Sequence, residues 1–280
     1  MRWNVAFALL VSCVLYAACE AKGIIVESVE PNSPAAKAGI EVGDVLLTYA
    51  GKDLMTPAAL DFWIRTNVGT EEVTVGLKMG RDERTVKVQP GPLDVVTRPE
   101  LPKDALDKYR TGQDALRAEN RKEAAAEFAQ AASLVDSASA KAWRLLRAAQ
   151  VVEESDPTNA LETLGRAWEE MGKAPADPVS WSVCLMVASL YERSRKFDEA
   201  VEWYERALGT AQVLAPCSMN VALSLYNLGN IAFRRGELDK AEEYYTRSLE
   251  MKECLAPGSL EVATSLNNLG CIALDGDDLD

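Results

Sequence analysis

The pattern of apolar and polar positions divides the chain into three parts. An almost unbroken apolar run fills residues 5–18, behind the basic residue Arg2. Short apolar segments separated by glycine and proline follow as far as residue 92, which predicts β-strands and tight turns. From residue 104 onward apolar residues recur at helical spacing. The pattern therefore predicts a leader, a small β-rich module and a long all-α region.

The leader has the layout of an export signal. Its apolar run is about fourteen residues long, short of the roughly twenty that cross a bilayer core as a helix. Small residues lie at and just beyond its end, at positions 17, 18 and 21, as at a signal cleavage site. Residues 1–21 are therefore predicted to direct export to the periplasm or the cell envelope. Three fates stay open: cleavage as a simple signal peptide, lipid attachment at Cys19, and retention as an uncleaved membrane anchor.

Residues 23–92 carry the signals of a small module with two helices among its strands. A serine–proline pair at 33–34 and a threonine–proline pair at 56–57 each predict a capped helix start. The second helix places Leu60 and Ile64 on its apolar side. Alternating segments after it predict a hairpin.

One stretch of this module resembles a known domain signature. Residues 29–47 contain the phrases SPAAKAG and GDVLL, and they resemble bacterial HtrA-type PDZ domains. The resemblance implies a small sandwich that binds a partner's C-terminal peptide as an added strand beside the second helix, with Leu60 and Ile64 on the groove side. In that family the strand that pairs with the peptide lies upstream of the equivalent of Gly23, where this chain has only the leader. Once the leader is cleaved, the module is expected to lack half of its groove and to serve as a spacer or a dimer surface.

A proline-rich segment, residues 93–103, is predicted to be a linker. Beyond it a sequence unit recurs at an interval of 41 residues: Asn-Leu-Gly at 227–229 returns at 268–270, and Leu-Ala-Pro at 214–216 returns at 255–257. Each unit is expected to be a pair of helices in close contact, with small residues at the contact and large ones beside them. Such pairs cannot bury their apolar faces alone and stack into a superhelix.

The recurring unit resembles tetratricopeptide repeats of the kinesin-light-chain kind, strongly over residues 181–280 and more weakly over 104–175. Repeats of this kind occur in large bacterial proteins that end in a caspase-like peptidase domain of the CHAT type. The resemblance implies an all-α solenoid over residues 104–280. Its last repeat is incomplete, so the sequence is expected either to be part of a longer chain or to end in an unusual cap.

The resemblance also implies which residues line the concave surface of the solenoid. They occupy the outward positions of the first helix in each pair. Asparagine side chains there can hydrogen-bond a peptide backbone without requiring a particular sequence. The expected peptide-binding residues are Ser182, Leu185, Ser189, Glu192, Leu223, Tyr226, Asn230, Phe233, Arg234 and Asn267.

Composition narrows the classes of function. The chain has no histidine, which removes Ser-His-Asp and Cys-His catalysis and imidazole zinc sites. None of its six cysteines forms a CxxC pair, and Cys184 and Cys271 are predicted to be small buried residues inside helices. We therefore predict no catalytic residue, no metal site and no cofactor. A net charge of −13 argues against nucleic acid as a partner.

The sequence thus predicts a multidomain, non-enzymatic scaffold of the bacterial envelope. Its expected partners are proteins or peptides, bound through the groove of the repeats. The alternative is that these residues form the regulatory N-terminal part of a larger enzyme, a CHAT-type caspase-like peptidase. Its catalytic domain would then lie beyond residue 280.

Overall fold

The structure is a computed structural model that describes residues 23–68, 72–172 and 177–277. The predicted leader, with Cys19, lies outside these residues. The described chain consists of an antiparallel sheet with two helices, followed by an all-helical region. This confirms the predicted combination of a β-rich module and an α-helical solenoid. None of the helices in the described ranges combines the length and apolar character that crossing a membrane requires.

The β module is built on one sheet with the strand order β5-β4-β2-β1-β6, in which β3 pairs with β2. All of its strand pairs are antiparallel. The strands are β1 (Ile24–Val29), β2 (Val45–Tyr49), β3 (Lys52–Asp53), β4 (Val73–Met79), β5 (Asp82–Val88) and β6 (Val95–Pro99).

Both helices of the module begin where the sequence predicts. In α1 (Pro34–Lys37) the Ser33 hydroxyl accepts a hydrogen bond from the backbone N–H of Ala36 at 3.1 Å. In α2 (Pro57–Thr66) the Thr56 hydroxyl accepts one from Ala59 at 3.3 Å. These caps satisfy backbone donors that the first turn of a helix leaves without a partner.

Strand β6 corrects the expectation for residues 93–103. Five residues of the predicted linker pair with β1, so that Ile24 lies opposite Pro99 and Val29 lies opposite Val95. Pro99 is accommodated because it ends a strand at the edge of the sheet. The side of β1 that the resemblance assigns to an upstream strand is therefore filled from downstream. The expectation that the module lacks half of its groove is wrong.

The helical region consists of successive helix pairs, α3 with α4, α5 with α6, α7 with α8 and α9 with α10, and α11 packs on α10. The helices are α3 (Lys103–Arg117), α4 (Arg121–Ser133), α5 (Ala138–Val152), α6 (Pro157–Glu170), α7 (Pro178–Arg193), α8 (Phe197–Leu214), α9 (Met219–Arg234), α10 (Leu238–Leu255) and α11 (Leu260–Asp277).

A small residue in the first helix of a pair meets a large one in the second. A Cβ atom added at Gly112 would lie 2.7 Å from the ring of Phe128, and one added at Gly229 would lie 2.7 Å from the ring of Tyr245. The two middle pairs have an alanine at the equivalent position. The buried partners at the same spacing are Ala148 with Leu164, and Ala188 with Tyr204.

Helix α2 joins the two parts of the molecule, because it packs against α7 and α9. The rings of Phe62 and Trp181 meet edge to face, with centroids 5.5 Å apart. Asn220 is fully buried, and its Nδ2 donates to the carbonyl of Phe62 at 3.0 Å and to Oγ1 of Thr66 at 3.2 Å. Ala58, at the other end of α2, belongs to the apolar cluster of the earlier repeats. The β module and the repeats therefore share one continuous core.

Candidate peptide-binding surfaces

The residues predicted to line the concave surface divide into two groups. Leu185 and Leu223 are half-buried and pack against the apolar cluster that α2 shares with α7 and α9. Ser182 donates to the carbonyl of Pro178 in its own helix. These positions lie on α7 and α9, the two helices against which α2 packs.

The second group converges on a pocket of about 320 Å³ at the far ends of α7 and α9. It contains five of the predicted residues, together with one from α10 and two from α11. Of the remaining predictions, Ser189 is half-buried and Asn267 is exposed, and neither lines this pocket. We call it the repeat pocket, and its lining is Glu192, Tyr226, Asn230, Phe233, Arg234, Tyr245, Asn268 and Cys271.

An ion pair forms one side of the repeat pocket. Nη1 of Arg234 lies 3.0 Å from Oε1 of Glu192, and the hydroxyl of Tyr204 donates to the other carboxylate oxygen at 2.8 Å. Burial raises the pKa of Tyr204, and the Glu192 carboxylate raises it further, so this hydroxyl remains a donor across the physiological range. Glu192 is thus held in one orientation, while about half of the Arg234 side chain stays exposed to a ligand.

Amide and hydroxyl groups form the floor of the pocket. The hydroxyl of Tyr245 donates to Oδ1 of Asn230 at 2.7 Å, and burial raises its pKa to about 12. Nδ2 of Asn268 donates to the hydroxyl of Tyr226 at 3.1 Å and to Oδ1 of Asn230 at 3.4 Å. Amide groups both donate and accept, so this network can exchange its bonds for those of a peptide backbone.

Tyr226 is fixed from its other face. Nζ of Lys252 lies 4.3 Å from the centre of the Tyr226 ring and donates to Oγ of Ser265 at 2.8 Å. Burial lowers the pKa of Lys252. Its ammonium group is nevertheless attracted by the face of the ring and bonded to the Ser265 hydroxyl, and both contacts stabilise Tyr226 in this position.

A second cleft, of about 430 Å³, lies between α2 and the segment that leads into β6. Leu60 and Ile64 line it from α2 and Val68 from just beyond that helix, residues 91–95 line it opposite, and Glu261 reaches it from α11. Leu60 is buried and Ile64 is half-buried, so the cleft has an apolar wall. Both residues that the resemblance assigns to the groove therefore lie in it. We call this cleft the strand–helix groove.

Three residues that line the repeat pocket are not among the peptide-binding residues predicted from the sequence. Tyr245 lies on a second helix, but its sixteen-residue distance from Gly229 could have identified it, since Gly112 and Phe128 share that distance. Asn268 directly follows the predicted Asn267. The prediction that Cys271 is buried is wrong, because its side chain is exposed.

The two cysteines that share the buried prediction differ in their surroundings. Cys184 is buried between two helix pairs, and burial raises the pKa of its thiol to about 12. Cys271 lies on α11, which packs on α10 on one side. Across the described ranges, no group of three or more Cys, Asp or Glu side chains is placed to hold a metal ion.

Family models match both parts of the chain. A PDZ domain model matches residues 25–78, and a tetratricopeptide repeat model matches residues 182–253 and 220–280. The periplasmic serine endoprotease DegP of Escherichia coli K12 is 45% identical over 69 residues, which are 24% of this chain and 14% of DegP. HhoB of Synechocystis sp. is 30% identical over 70 residues, or 25% of this chain and 17% of HhoB. The chain thus spans less than a fifth of either relative.

Solved structures resemble the helical region. RapI has a TM-score of 0.55 at 17% identity, over 62% of this chain and 49% of RapI. A kinesin-light-chain-like protein of Podospora anserina with nearly identical TPR-like repeats has a TM-score of 0.51 at 14% identity, over 64% of this chain and 90% of that one. At these identities the likeness shows the fold alone. Together with the family models and the repeated helix pairs, it identifies a chain that carries a PDZ domain followed by tetratricopeptide repeats.

Proposed function

We propose that this chain is a protein-interaction scaffold that binds an extended segment of a partner protein at the repeat pocket. PDZ domains and tetratricopeptide repeats both serve as interaction modules. One observation carries the proposal. Five of the residues expected to bind a peptide line the repeat pocket, and no residue of α2 does.

The chemistry of the pocket suits a peptide without a strong sequence requirement. Asn230 and Asn268 offer amide groups to a peptide backbone, and the rings of Tyr226 and Phe233 offer apolar walls. Glu192 and Arg234 contribute one charge of each sign, so the pocket itself does not select for charge. Affinity would come from hydrogen bonds to the backbone of the bound peptide and from contacts with its apolar side chains.

Two neighbouring asparagines of α11 provide a matched test. Peptides selected from a random display library on the full chain should bind Asn268→Ala about tenfold more weakly, because one or two hydrogen bonds are lost. The same peptides should bind Asn267→Ala as they bind the wild type, since Asn267 is exposed outside the pocket. Equal affinities for the two variants, or a loss at Asn267 alone, would refute the repeat pocket as the binding site.

The proposal includes a location and a non-catalytic role. The absence of histidine and the repeat fold support a segment that recruits other proteins rather than one that performs chemistry.

The leader supports export to the periplasm or envelope, with lipid attachment at Cys19 as one route to the membrane. Radioactive palmitate should then label the wild-type chain and fail to label Cys19→Ala. Unchanged labelling of the variant would exclude this anchor.

The alternative function is regulation of an attached enzyme. The likeness of these repeats to those of CHAT-type proteins favours a caspase-like peptidase domain beyond residue 280. The gene sequence downstream of that codon distinguishes the two functions. An open reading frame with a paired histidine and cysteine would support the enzyme, and a stop codon would support the scaffold alone.

A further inference from the structure

The strand–helix groove has a backbone edge along one side. Strand β6 pairs with β1 on one edge, and no other strand in the described part of the chain pairs with it. Helix α2 lies beside β6, and Val96 is 52% exposed. An edge strand presents N–H and C=O groups to which an extended segment can add as a further strand. Ile64 and Val68 supply apolar contacts for alternate side chains of such a segment.

The loop at the mouth of this groove is poorly suited to a terminal carboxylate. The loop that precedes β6 at this end contains Pro90 and Pro92, which have no backbone N–H to offer a carboxylate. Asp94 follows them with a φ of 54° and an exposed carboxylate that lines the groove. Its backbone carbonyl accepts from the N–H of Glu30 at 3.0 Å, which holds this loop against the sheet. A carboxylate entering here would meet a like charge and fewer donors.

The other charged residues of the groove also disfavour a carboxylate ligand. Asp61, Asp94 and Glu261 line it, and Arg65 is its one basic residue. Arg65 lies four residues after Asp61 on α2, the spacing at which helical side chains pair. Asp94 is then left to attract a cation from a partner, and Glu261, whose charge also acts on Lys252, adds to that attraction. Glu261 belongs to the repeats, so the groove is completed by both domains.

We infer that the strand–helix groove binds an extended internal segment of a partner protein that carries lysine or arginine. The segment adds to the edge of β6, and its basic side chains lie against Asp94 and Glu261. The ligand therefore differs from the free C-terminal peptide that the PDZ resemblance implies. This site is separate from the repeat pocket, and it stands or falls independently of the function proposed there.

A library selection on the full chain tests the inference. Random peptides are displayed in two formats, one flanked on both sides and one with a free C-terminus. Selection should enrich the flanked format and, within it, lysine and arginine. Enriched peptides, synthesised with acetylated and amidated ends, should lose at least about tenfold in affinity for Asp94→Lys/Glu261→Lys, because two attractions become repulsions. The affinity for Asp94→Asn/Glu261→Gln should fall by less. This neutral variant keeps the test valid if the charge-reversed variant does not fold.

The matched control changes the net charge by the same amount elsewhere. Glu205→Lys/Glu253→Lys alters exposed residues on α8 and α10 that do not line the groove, and the affinity should stay within about twofold of wild type. Enrichment of free C-termini without basic residues would overturn the inference. So would basic peptides whose binding depends on Asn268 rather than on Asp94 and Glu261, although that result would support the repeat pocket.

Discussion

At the scale of single residues, the repeats depend on one close contact in each helix pair. Gly229 lets the Tyr245 ring approach so closely that an added Cβ would lie 2.7 Å from it. The ring cannot withdraw freely, because its hydroxyl is bonded to Asn230. Side-chain volume at this position is therefore limited by the opposite helix.

We expect Gly229→Ala to lower the free energy of unfolding by up to about 2 kcal/mol. Overpacking costs about 1–3 kcal/mol, and the better helix propensity of alanine returns about 0.8–1.0 kcal/mol. Gly270→Ala is the matched control, since no described heavy atom outside its own helix neighbourhood lies within 4 Å of its added Cβ. That variant should be neutral or slightly more stable. Urea denaturation that showed the same change for both variants would contradict the contact.

The cysteines give a second residue-scale prediction. Burial raises the pKa of Cys184 to about 12, so its thiol stays protonated at pH 8, whereas Cys217, Cys254 and Cys271 are exposed. Iodoacetamide at pH 8 should label these three in the native protein and reach Cys184 only after unfolding. Mass spectrometry of the digested protein locates the label. Fast native labelling of Cys184 would show that α7 is not packed as described.

At the scale of elements, α2 contacts different parts of the molecule with two of its faces. Leu60 and Ile64 line the strand–helix groove. Phe62 and Thr66 contact Trp181 and Asn220 of the repeats. The same helix thus forms a wall of the strand–helix groove and a contact surface for α7 and α9.

Asn220→Ala should weaken this attachment. The buried amide donates to the carbonyl of Phe62, which also accepts from the Thr66 hydroxyl, and to the Thr66 hydroxyl itself, near the C-terminal end of α2. Its removal should cost about 1–3 kcal/mol, because two hydrogen bonds to α2 are lost. Hydrogen exchange over α2 should become faster in this variant and stay unchanged in Asn267→Ala. Unchanged protection of α2 in both variants would show that Asn220 does not hold the helix.

The elements differ in how far the sequence predicts them. The helix starts at Ser33 and Thr56 and the helix pairs follow from local signals, namely a capping side chain before proline and a 41-residue interval. Strand β6 has no such signal, because its five residues lie between prolines and become a strand only by pairing with β1. The same reason limits the candidate site. The resemblance to tetratricopeptide repeats predicts five residues of the repeat pocket, but the packing of Leu185 and Leu223 depends on the apolar cluster that α2 shares with α7 and α9.

At the scale of the whole molecule, the PDZ domain and the repeats form one body. The apolar cluster that contains Leu46 and Phe62 of the sheet module continues into Trp181 and Leu225 of the repeats. A partner at the repeat pocket and a segment in the strand–helix groove would therefore be held in a fixed relative position. This is the property that distinguishes a rigid scaffold from two tethered domains.

The distance between the two domains tests this account most directly. Nitroxide labels at Arg81→Cys, in the turn between β4 and β5, and at Gln212→Cys, on α8, occupy exposed positions. The other exposed cysteines are replaced by serine. Pulsed electron paramagnetic resonance should give one narrow distance distribution, because α2 fixes the PDZ domain on the repeats. A broad distribution, with the PDZ domain moving independently of the repeats, would contradict the account.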